Sequence, residues 1–168
     1  EASDENRLIW PNLEGEAVTV LVAVETDFAI TQAAMDLVFE RYELHGETCA
    51  DGWPLDGPFP ETDELVASEF ESAALPSGCG YAAGPDVWFN IPVPAATQLV
   101  FQGSYAADSF TLGYSLNCTS CVSYTSYNYS TASFTYTNTS GSEVMVHALL
   151  SSEYGTVGGE YVGTATMT

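Results

Sequence analysis

The segment Gly84-Pro-Asp-Val-Trp-Phe-Asn-Ile-Pro-Val-Pro94 is the most informative part of this sequence about its architecture. It begins with turn residues and then alternates, so Val87, Phe89 and Ile91 are expected on one face of a β-strand. Trp88 is expected on the other face. Two prolines follow, and because proline has no N–H for a sheet ladder, we expect the strand to end there. A short strand with Trp and Phe between turn signals is typical of an inner strand of a β-sandwich.

Short alternating segments on both sides of this stretch supply partner strands. After it, alternation predicts strands at residues 98–102, 109–115, 122–127, 133–137, 143–149 and 160–167. Before it, residues 46–62 are rich in Pro, Gly and Asp and are predicted to form a loop, and residues 65–74 a strand. This spacing predicts an all-β fold, an antiparallel β-sandwich or jelly-roll-like domain with little helix.

Residues 17–26, Ala-Val-Thr-Val-Leu-Val-Ala-Val-Glu-Thr, give the strongest strand prediction in the chain. One face of this N-terminal strand consists of four valines: Val18, Val20, Val22 and Val24. The other face is also largely apolar, so the strand is expected to be sandwiched rather than to lie on a surface. Another strand is predicted at about residues 35–44, and Trp10 in the polar leader is expected to pack against protein.

The charge balance is extreme, with Lys+Arg 2 against Asp+Glu 23 and a formal net charge of −21. Proteins bind nucleic acids and anionic lipids with Lys and Arg, so neither is an expected partner. Such acidity is typical of a protein that stays soluble outside the cell or in salty water, and cation binding is the alternative. Nineteen of the 23 carboxylates lie at or before Asp86, which leaves a nearly neutral second half.

The four cysteines predict a secreted protein with two disulfides. Without a His/Cys cluster, they fit disulfides better than a metal site: Cys49, Cys79, Cys118 and Cys121. Cys118 and Cys121 have the spacing of a redox motif, but they lack the βαβ context of one. The chain begins at Glu1 and has no apolar run of about 20 residues, as expected of a mature extracellular or cell-surface chain without membrane insertion.

Three Asn-x-Ser/Thr sequons lie within 22 residues, at Asn117, Asn128 and Asn138. Their density indicates N-linked glycosylation, although a chain rich in Ser and Thr also produces sequons by composition. N-linked or O-linked glycans are therefore candidate modifications, and the only non-protein groups that the sequence indicates.

Several motifs in the second part of the chain occur in one order. They are Cys49-Ala50, Ser77-Gly-Cys-Gly80, Gly84-Pro-Asp-Val-Trp-Phe89, Val93-Pro-Ala95, the paired cysteines of 112–121, and Ser133-Phe-Thr-Tyr-Thr137 followed by Gly141-Ser-Glu-Val-Met-Val146. Together they resemble the bacterial pre-peptidase C-terminal (PPC) domain family in its secreted, disulfide-bearing form. The resemblance covers roughly residues 48–168 and leaves residues 1–47 as a separate N-terminal segment.

The PPC resemblance implies a jelly-roll-like sandwich with the cysteine pairs Cys49–Cys79 and Cys118–Cys121. It also implies a non-catalytic module, since members commonly accompany secreted peptidases and surface proteins. Members often carry acidic turns after the second cysteine pair that could hold calcium. Here residues 124–130 contain no carboxylate, so calcium is not expected at that turn.

No pattern in the sequence predicts catalysis. His45 and His147 have no ligand-spaced neighbours, so no metal site is predicted, and there is no Gly-x-Ser-x-Gly elbow. Aromatic side chains could form a platform for sugars, but packing in the core explains them as well and is the favoured interpretation. The candidates for such a platform are Trp88, Tyr114, Tyr124, Tyr127, Tyr129 and Tyr136.

The N-terminal strand precedes a domain that should already be complete, so it needs a sheet edge to pair with. If that edge belongs to another copy, the contact runs head to tail and generates a filament. We therefore expect a structural subunit of a pilus-like fibre, with Trp10 and the four valines as assembly residues. If the strand pairs with its own domain, the chain is a monomeric accessory or adhesion module for glycan or protein. A calcium-stabilised adhesin is a third hypothesis.

Overall fold

The computed structural model describes residues 45–46, 48–67, 70, 75–80, 84–107, 109–127, 131–155 and 158–168, with residues 123–127 described by their backbone. They belong to one compact unit, His45–Thr168. The predicted strands at 17–26 and 35–44 lie outside the described residues. The same holds for six candidate site residues: Trp10, Val18, Val20, Val22, Val24 and Asn128.

The described part of the chain forms nine β-strands in two sheets. The strands are β1 (Trp53–Pro54), β2 (Glu61–Val66), β3 (Asp86–Val93), β4 (Gln98–Tyr105), β5 (Phe110–Ser115), β6 (Cys121–Tyr127), β7 (Ala132–Thr137), β8 (Val144–Ser152) and β9 (Glu160–Met167). Sheet A has the order β1-β3-β8-β5-β6 and sheet B the order β2-β9-β4-β7. Paired strands are antiparallel apart from β1 and β3. The predicted β-sandwich is confirmed, and the six segments predicted after the central stretch are β4 to β9.

Strand β3 contains the central stretch and is buried on both faces. Phe89 points between the sheets, where its ring lies 5.6 Å from that of Phe101 in sheet B. Its neighbours on that face, Val87 and Ile91, are fully buried as well. Trp88 lies on the opposite, outer face of sheet A and is only 1% exposed. The predicted alternation is therefore confirmed, and each face of this strand has its own cover.

The expectation that the prolines end the strand is wrong for Pro92. Strand β3 continues through Pro92 to Val93, with β8 alongside. The N–H of Trp88 donates to the carbonyl oxygen of Gly46, and the carbonyl oxygen of Asn90 accepts from the N–H of Leu55. Even-numbered residues of β3 therefore direct their backbone groups away from β8. An N–H at position 92 would point the same way. The proline thus removes no hydrogen bond from the β3–β8 ladder.

Two glycines of sheet B make room for the core between the sheets. Gly103 of β4 and Gly163 of β9 are paired with each other. A Cβ at Gly163 would lie 2.8 Å from the Phe89 ring, and a Cβ at Gly103 would lie 2.5 Å from Leu150. The absence of side chains at this pair therefore lets the large residues of sheet A pack directly against the backbone of sheet B.

The segment predicted as a loop at 46–62 contains β1 and the start of β2. Strand β1 has two residues, too few to produce a periodic pattern, and β2 overlaps the predicted strand at 65–74 only at its end. Trp53 joins the two strands, because its Nε1 donates to Asp63 Oδ2 at 2.6 Å. This side of the sandwich ends in a very short strand with a proline and in a strand with carboxylates, both of which are typical of protected sheet edges.

Asn138 holds together the connection from sheet A to sheet B. Its side chain is fully buried, and the two N–H groups of Nδ2 are shared among three backbone oxygens, those of Val93 (2.9 Å), Pro94 (3.0 Å) and Ser142 (2.8 Å). Its Oδ1 accepts from both the N–H and the hydroxyl of Ser140. A glycan would have to be attached at this buried, fully engaged nitrogen. The prediction of a glycan at Asn138 is therefore not compatible with the folded domain.

We expect Asn138→Ala to destabilise the domain by about 2–4 kcal/mol, because three carbonyl groups lose a buried donor. Urea denaturation of the full chain measures this change. The control is Thr139→Ala, an exposed neighbour that should change the free energy of unfolding by less than about 0.5 kcal/mol. Equal stability of the two variants would contradict the role given to Asn138.

Candidate functional site

The outer face of sheet A carries a second, smaller core. Trp88 and Leu149 are paired across β3 and β8 on this face, and both are buried. The residues packed against them are Leu75 and the four cysteines. We call the three segments that supply these residues, 48–52, 75–80 and 115–121, the disulfide cover. These segments lie on a strand face, and they are held there by side-chain contacts, by covalent bonds and by an isolated backbone bridge between Ser77 and Ser120.

The four cysteines form two disulfides, as the sequence predicts, but the pairing implied by the PPC resemblance is wrong. Cys49 is bonded to Cys118, and Cys79 to Cys121. The bonded residues are 69 and 42 positions apart in the chain. In the chain-entropy model, loops of this length correspond to about 4 kcal/mol of stabilisation for each bond. Each disulfide thus ties one loop of the cover to the β5–β6 turn.

The β5–β6 turn explains why its two cysteines bond to different loops. Ser115 Oγ accepts from the N–H of Cys118 at 3.0 Å and donates to the carbonyl oxygen of Ser120 at 2.7 Å. The turn is therefore closed by a serine hydroxyl and does not need a disulfide across it. Cys121 has already entered β6, and its N–H donates to the carbonyl oxygen of Ser77 at 3.0 Å, beside the partner loop.

Asn90 and His147 connect the disulfide cover to sheet A. They are paired across β3 and β8. With its amide oriented to satisfy all its neighbours, Asn90 Nδ2 donates to His147 Nδ1 (2.6 Å) and to Cys49 O (3.2 Å), and its Oδ1 accepts from Gly52 N (2.9 Å). Burial lowers the pKa of His147, and a hydrogen bond with the Cys49 backbone opposes this more weakly. Because Nδ1 is an acceptor here, the network fits the neutral imidazole.

One group of side chains in the described part of the chain has the proximity of a metal site. A nitrogen of His147 and the sulfurs of Cys49 and Cys118 lie within 4.8 Å of one another. The two sulfurs are bonded to each other, and a disulfide does not offer the thiolates that bind metals. In this oxidised form the group therefore serves to hold the cover on the sheet.

Among the predicted glycan sites, Asn117 has a position that fits a glycan. It is exposed in the β5–β6 turn. Its Oδ1 accepts from the N–H groups of Thr119 (3.0 Å) and Ser120 (3.3 Å), so the turn uses the oxygen of this amide. The side chain can therefore support the turn and still carry a sugar on its nitrogen.

A different kind of surface lies at one lateral side of the sandwich. Among the described strands, β6 is the last of sheet A and β7 the last of sheet B, and β5 packs against β7. We call the side formed by β6 and β7 the neutral side, because none of the strands β4 to β7 contains a charged residue. The opposite side, formed by β1 and β2, carries the carboxylates Glu61, Asp63 and Glu64. A strongly acidic chain therefore has one lateral side whose strands carry no charge.

A series of aromatic rings leads from the core to the neutral side. The ring centroids of Phe89 and Phe101 are 5.6 Å apart, and those of Phe101 and Phe134 are 5.4 Å apart. Tyr114 stacks on Phe134 at 4.6 Å and lies 6.1 Å from Tyr136. The last three rings are half-buried, and burial, with repulsion between the two ionised hydroxyls as a smaller cause, raises the pKa of Tyr114 beside Tyr136. The space between the sheets is thus lined with apolar rings up to this side.

Of the six candidate aromatic residues for a sugar platform, Tyr114 and Tyr136 come together and Trp88 lies apart from them, whereas Tyr124, Tyr127 and Tyr129 lie outside the described side chains. Trp88 is buried beneath the disulfide cover, whereas Tyr114 and Tyr136 face each other between the sheets. Sequence reasoning missed the stacking role of Phe134 and the Asn90–His147 pair. Alternation in β7 could have placed Phe134 on the inner face, but the Asn–His pair requires the β3–β8 register, which the sequence does not contain.

A scan against protein-family models finds no match to the chain, and a search of curated proteins finds no significant match. The resemblance to PPC domains stays a prediction from the motifs. In the described part of the chain, no helix is long and apolar enough to cross a membrane. The two disulfides indicate an oxidising compartment, extracellular or periplasmic.

Disulfide mapping of the unreduced chain should distinguish the pairing found here from the pairing that the PPC resemblance implies. Cleavage after aromatic residues and leucine leaves Cys118 and Cys121 together in the peptide 117–124. The structure predicts that this peptide is linked to both the Cys49 peptide and the Cys79 peptide in one three-peptide species. A separate Cys49–Cys79 pair beside an internally closed 117–124 peptide would contradict it.

We expect His147 to make the stability of the domain depend on pH. Folding lowers the pKa of His147. As the pH falls below the unfolded pKa of about 6.5, the unfolded chain therefore binds more protons than the folded chain. The contribution of neutral His147 to the free energy of unfolding is complete above that pH and is lost as the pH falls towards the folded pKa. Between pH 7.5 and 5, His147→Gln should lose less stability than the unmodified chain in urea denaturation.

The control for His147→Gln is Met145→Gln, which lies on the same face of β8 and is 41% exposed. This variant should keep the pH dependence of the unmodified chain, because no titrating group is removed. If His147→Gln and Met145→Gln show the same change between the two pH values, the role of His147 is refuted.

Proposed function

We propose that this chain is a non-catalytic, extracellular structural subunit and that its copies assemble head to tail into a surface fibre. In this assembly, residues 17–26 of one copy add as a strand to the sandwich of the next copy. The observation that carries the proposal is the neutral side, where a chain of net charge −21 has two edge strands without a charged residue.

The edge strands on the two lateral sides of the sandwich differ in length, proline content and charge. Natural sheets protect edges with short strands, prolines and charged side chains, because an open edge pairs with other strands. Strand β1 has two residues and ends in Pro54, and β2 has three carboxylates. Strands β6 and β7 are seven and six residues long and contain neither proline nor charge. This contrast supports the proposal that a strand of another copy pairs with an edge on the neutral side.

The segment at 17–26 has the composition of a strand to be donated. Burial of its four valines would contribute about 6–12 kcal/mol before the cost of ordering the chain. In the unit His45–Thr168, buried residues of the two sheets pack against each other, as the rings of Phe89 and Phe101 do. A valine-rich segment that precedes a domain with its own core needs an edge to pair with, and a neighbouring copy offers one.

Head-to-tail assembly follows when donor and acceptor are different surfaces. The donor lies at 17–26 and the acceptor is within 45–168, so each copy has one of each. A contact of this heterologous type leads to an open polymer when the rotation between copies does not close a ring. The partner in this proposal is another copy of the same chain. Its extracellular location also permits a glycan on Asn117.

A second function deserves a test because of one specific observation. The described domain has its own core and two internal disulfides, which is sufficient for an independent unit. Such a unit could work as a monomeric adhesion or accessory module for a glycan or a protein. The mass of the native particle in dilute solution distinguishes this module from a fibre subunit.

Deletion of residues 1–26 is expected to abolish polymers, because it removes the donated strand and leaves the described domain intact. The full chain should form fibres visible by negative-stain microscopy, and the deletion variant should be a monomer by light scattering. The control is deletion of residues 1–7, which removes the polar leader and keeps both Trp10 and the valines. Identical polymers from the 1–26 deletion, or a full chain that stays monomeric, would refute strand donation.

A further inference from the structure

We propose that the outer edge of β7 is the acceptor, where residues 17–26 of a neighbouring copy become the fifth strand of sheet B. This inference rests on the proposed fibre function and goes beyond it by naming the edge and the sheet. Four properties of the described residues lead to it: the direction of the backbone groups, the number of strands in each sheet, the half-buried rings and the distribution of charge.

The backbone of β7 offers hydrogen-bonding groups on the side away from β4. Gln98 at the start of β4 exchanges both backbone hydrogen bonds with Thr168. Even-numbered residues of β4 therefore face β9, and odd-numbered residues face β7, where they are paired with the even-numbered residues of β7. The N–H and C=O groups of Ser133, Thr135 and Thr137 must then point outwards, where a further strand can bind them.

Sheet B has one strand fewer than sheet A within the described part of the chain. Strands β3, β8 and β5 of sheet A lie opposite β9, β4 and β7 of sheet B, respectively. Strand β6 follows β5 in sheet A and so extends one position beyond β7. A strand added to β7 would lie opposite β6 and would give two sheets of equal width.

The added strand would also cover apolar surface. Phe134 and Tyr136 are on the inner face of β7, and with Tyr114 they are half-buried at the edge of the space between the sheets. A strand beside β7 places alternate side chains in this same space. The four valines of the N-terminal strand occupy alternate positions and so can all face these rings.

Charge favours β7 over the edge at β2. The four valines of the N-terminal strand are flanked by Glu14, Glu16, Glu25 and Asp27. Beside β2 these groups would meet three further carboxylates, whereas β7 carries none. Because like charges across paired strands are destabilising, the donor is expected to avoid β2 and accept β7.

The edge of β6 is the less suitable of the two neutral edges. A strand added there would lie two positions beyond β7, with no described strand of sheet B opposite it. Its valine face would then remain uncovered. At β7 the same face lies between the sheets, so an apolar donor fits β7 better.

Proline substitution on each edge tests the choice of strand. Thr135→Pro removes an outward N–H from the centre of β7 without taking a bond from the β4 ladder, so the full chain should form at least tenfold less polymer by sedimentation. The matched control is Ser126→Pro in β6, whose odd-numbered residues are those bonded to β5. This control should polymerise normally, and thermal unfolding checks that both variants remain folded.

Photo-crosslinking tests the contact itself and does not depend on the proline variants. A benzophenone amino acid at Thr135, which is exposed, should join residues 17–26 of another copy and give a ladder of multimers on a denaturing gel. The same group at Glu64, exposed on β2, should give no such ladder. Mass spectrometry of mixed light and heavy chains shows whether each cross-link joins two copies.

The outcomes separate this inference from the proposed function. Multimers cross-linked from Thr135 to residues 17–26, together with loss of polymer in Thr135→Pro, support the β7 acceptor. Fibres that form normally with Thr135→Pro, or that cross-link from another edge, overturn the choice of β7 and leave strand donation in place. A cross-link confined to one copy, with a monomeric full chain, overturns both.

Discussion

Strand β3 is buried on both faces, and the arrangement of both sheets and of the disulfides follows from this double burial. A strand with Phe89 on one face and Trp88 on the other must be covered twice, and the two covers form in different ways. Sheet B covers the inner face with regular ladders, and the glycine pair in that sheet lets the sheets approach closely. The outer face is covered by loops, which join the sheet through an isolated bridge between Ser77 and Ser120 and not through extended ladders. The two disulfides and the Asn90 amide supply the fixation that those loops need.

The uneven charge along the chain has a counterpart among the described strands. The described residues before β3 form loops and the edge strands β1 and β2, and β2 carries three carboxylates. The second half supplies most of the strands, and β4 to β7 form the uncharged part of both sheets. Since strand order brings β6 and β7 to the same lateral side, a bias along the sequence becomes an asymmetry in space.

Local periodicity was sufficient to predict the sandwich, because β4 to β9 each alternate over several residues and their inner faces share one core. It failed where the outcome depends on a neighbour. Whether Pro92 breaks a strand depends on which side of the ladder its nitrogen faces, and the partner of each cysteine depends on how loops cross the outer face of β3. Asn138 shows the same limit, since a sequon pattern does not reveal that its nitrogen holds three buried carbonyl groups. The neutral side was visible as a composition bias, but only the strand order placed β6 beside β7.

The acidity of the chain bears on how its copies can meet. At a formal net charge of −21, any two copies repel each other, and screening by salt is effective only beyond about 8 Å at physiological ionic strength. A lasting contact must therefore bury apolar surface without bringing more carboxylates together. The side formed by β1 and β2 fails this condition, because its acidic groups would face those that flank the N-terminal strand. The neutral side meets it, so the same composition that keeps copies apart elsewhere restricts their association to one edge.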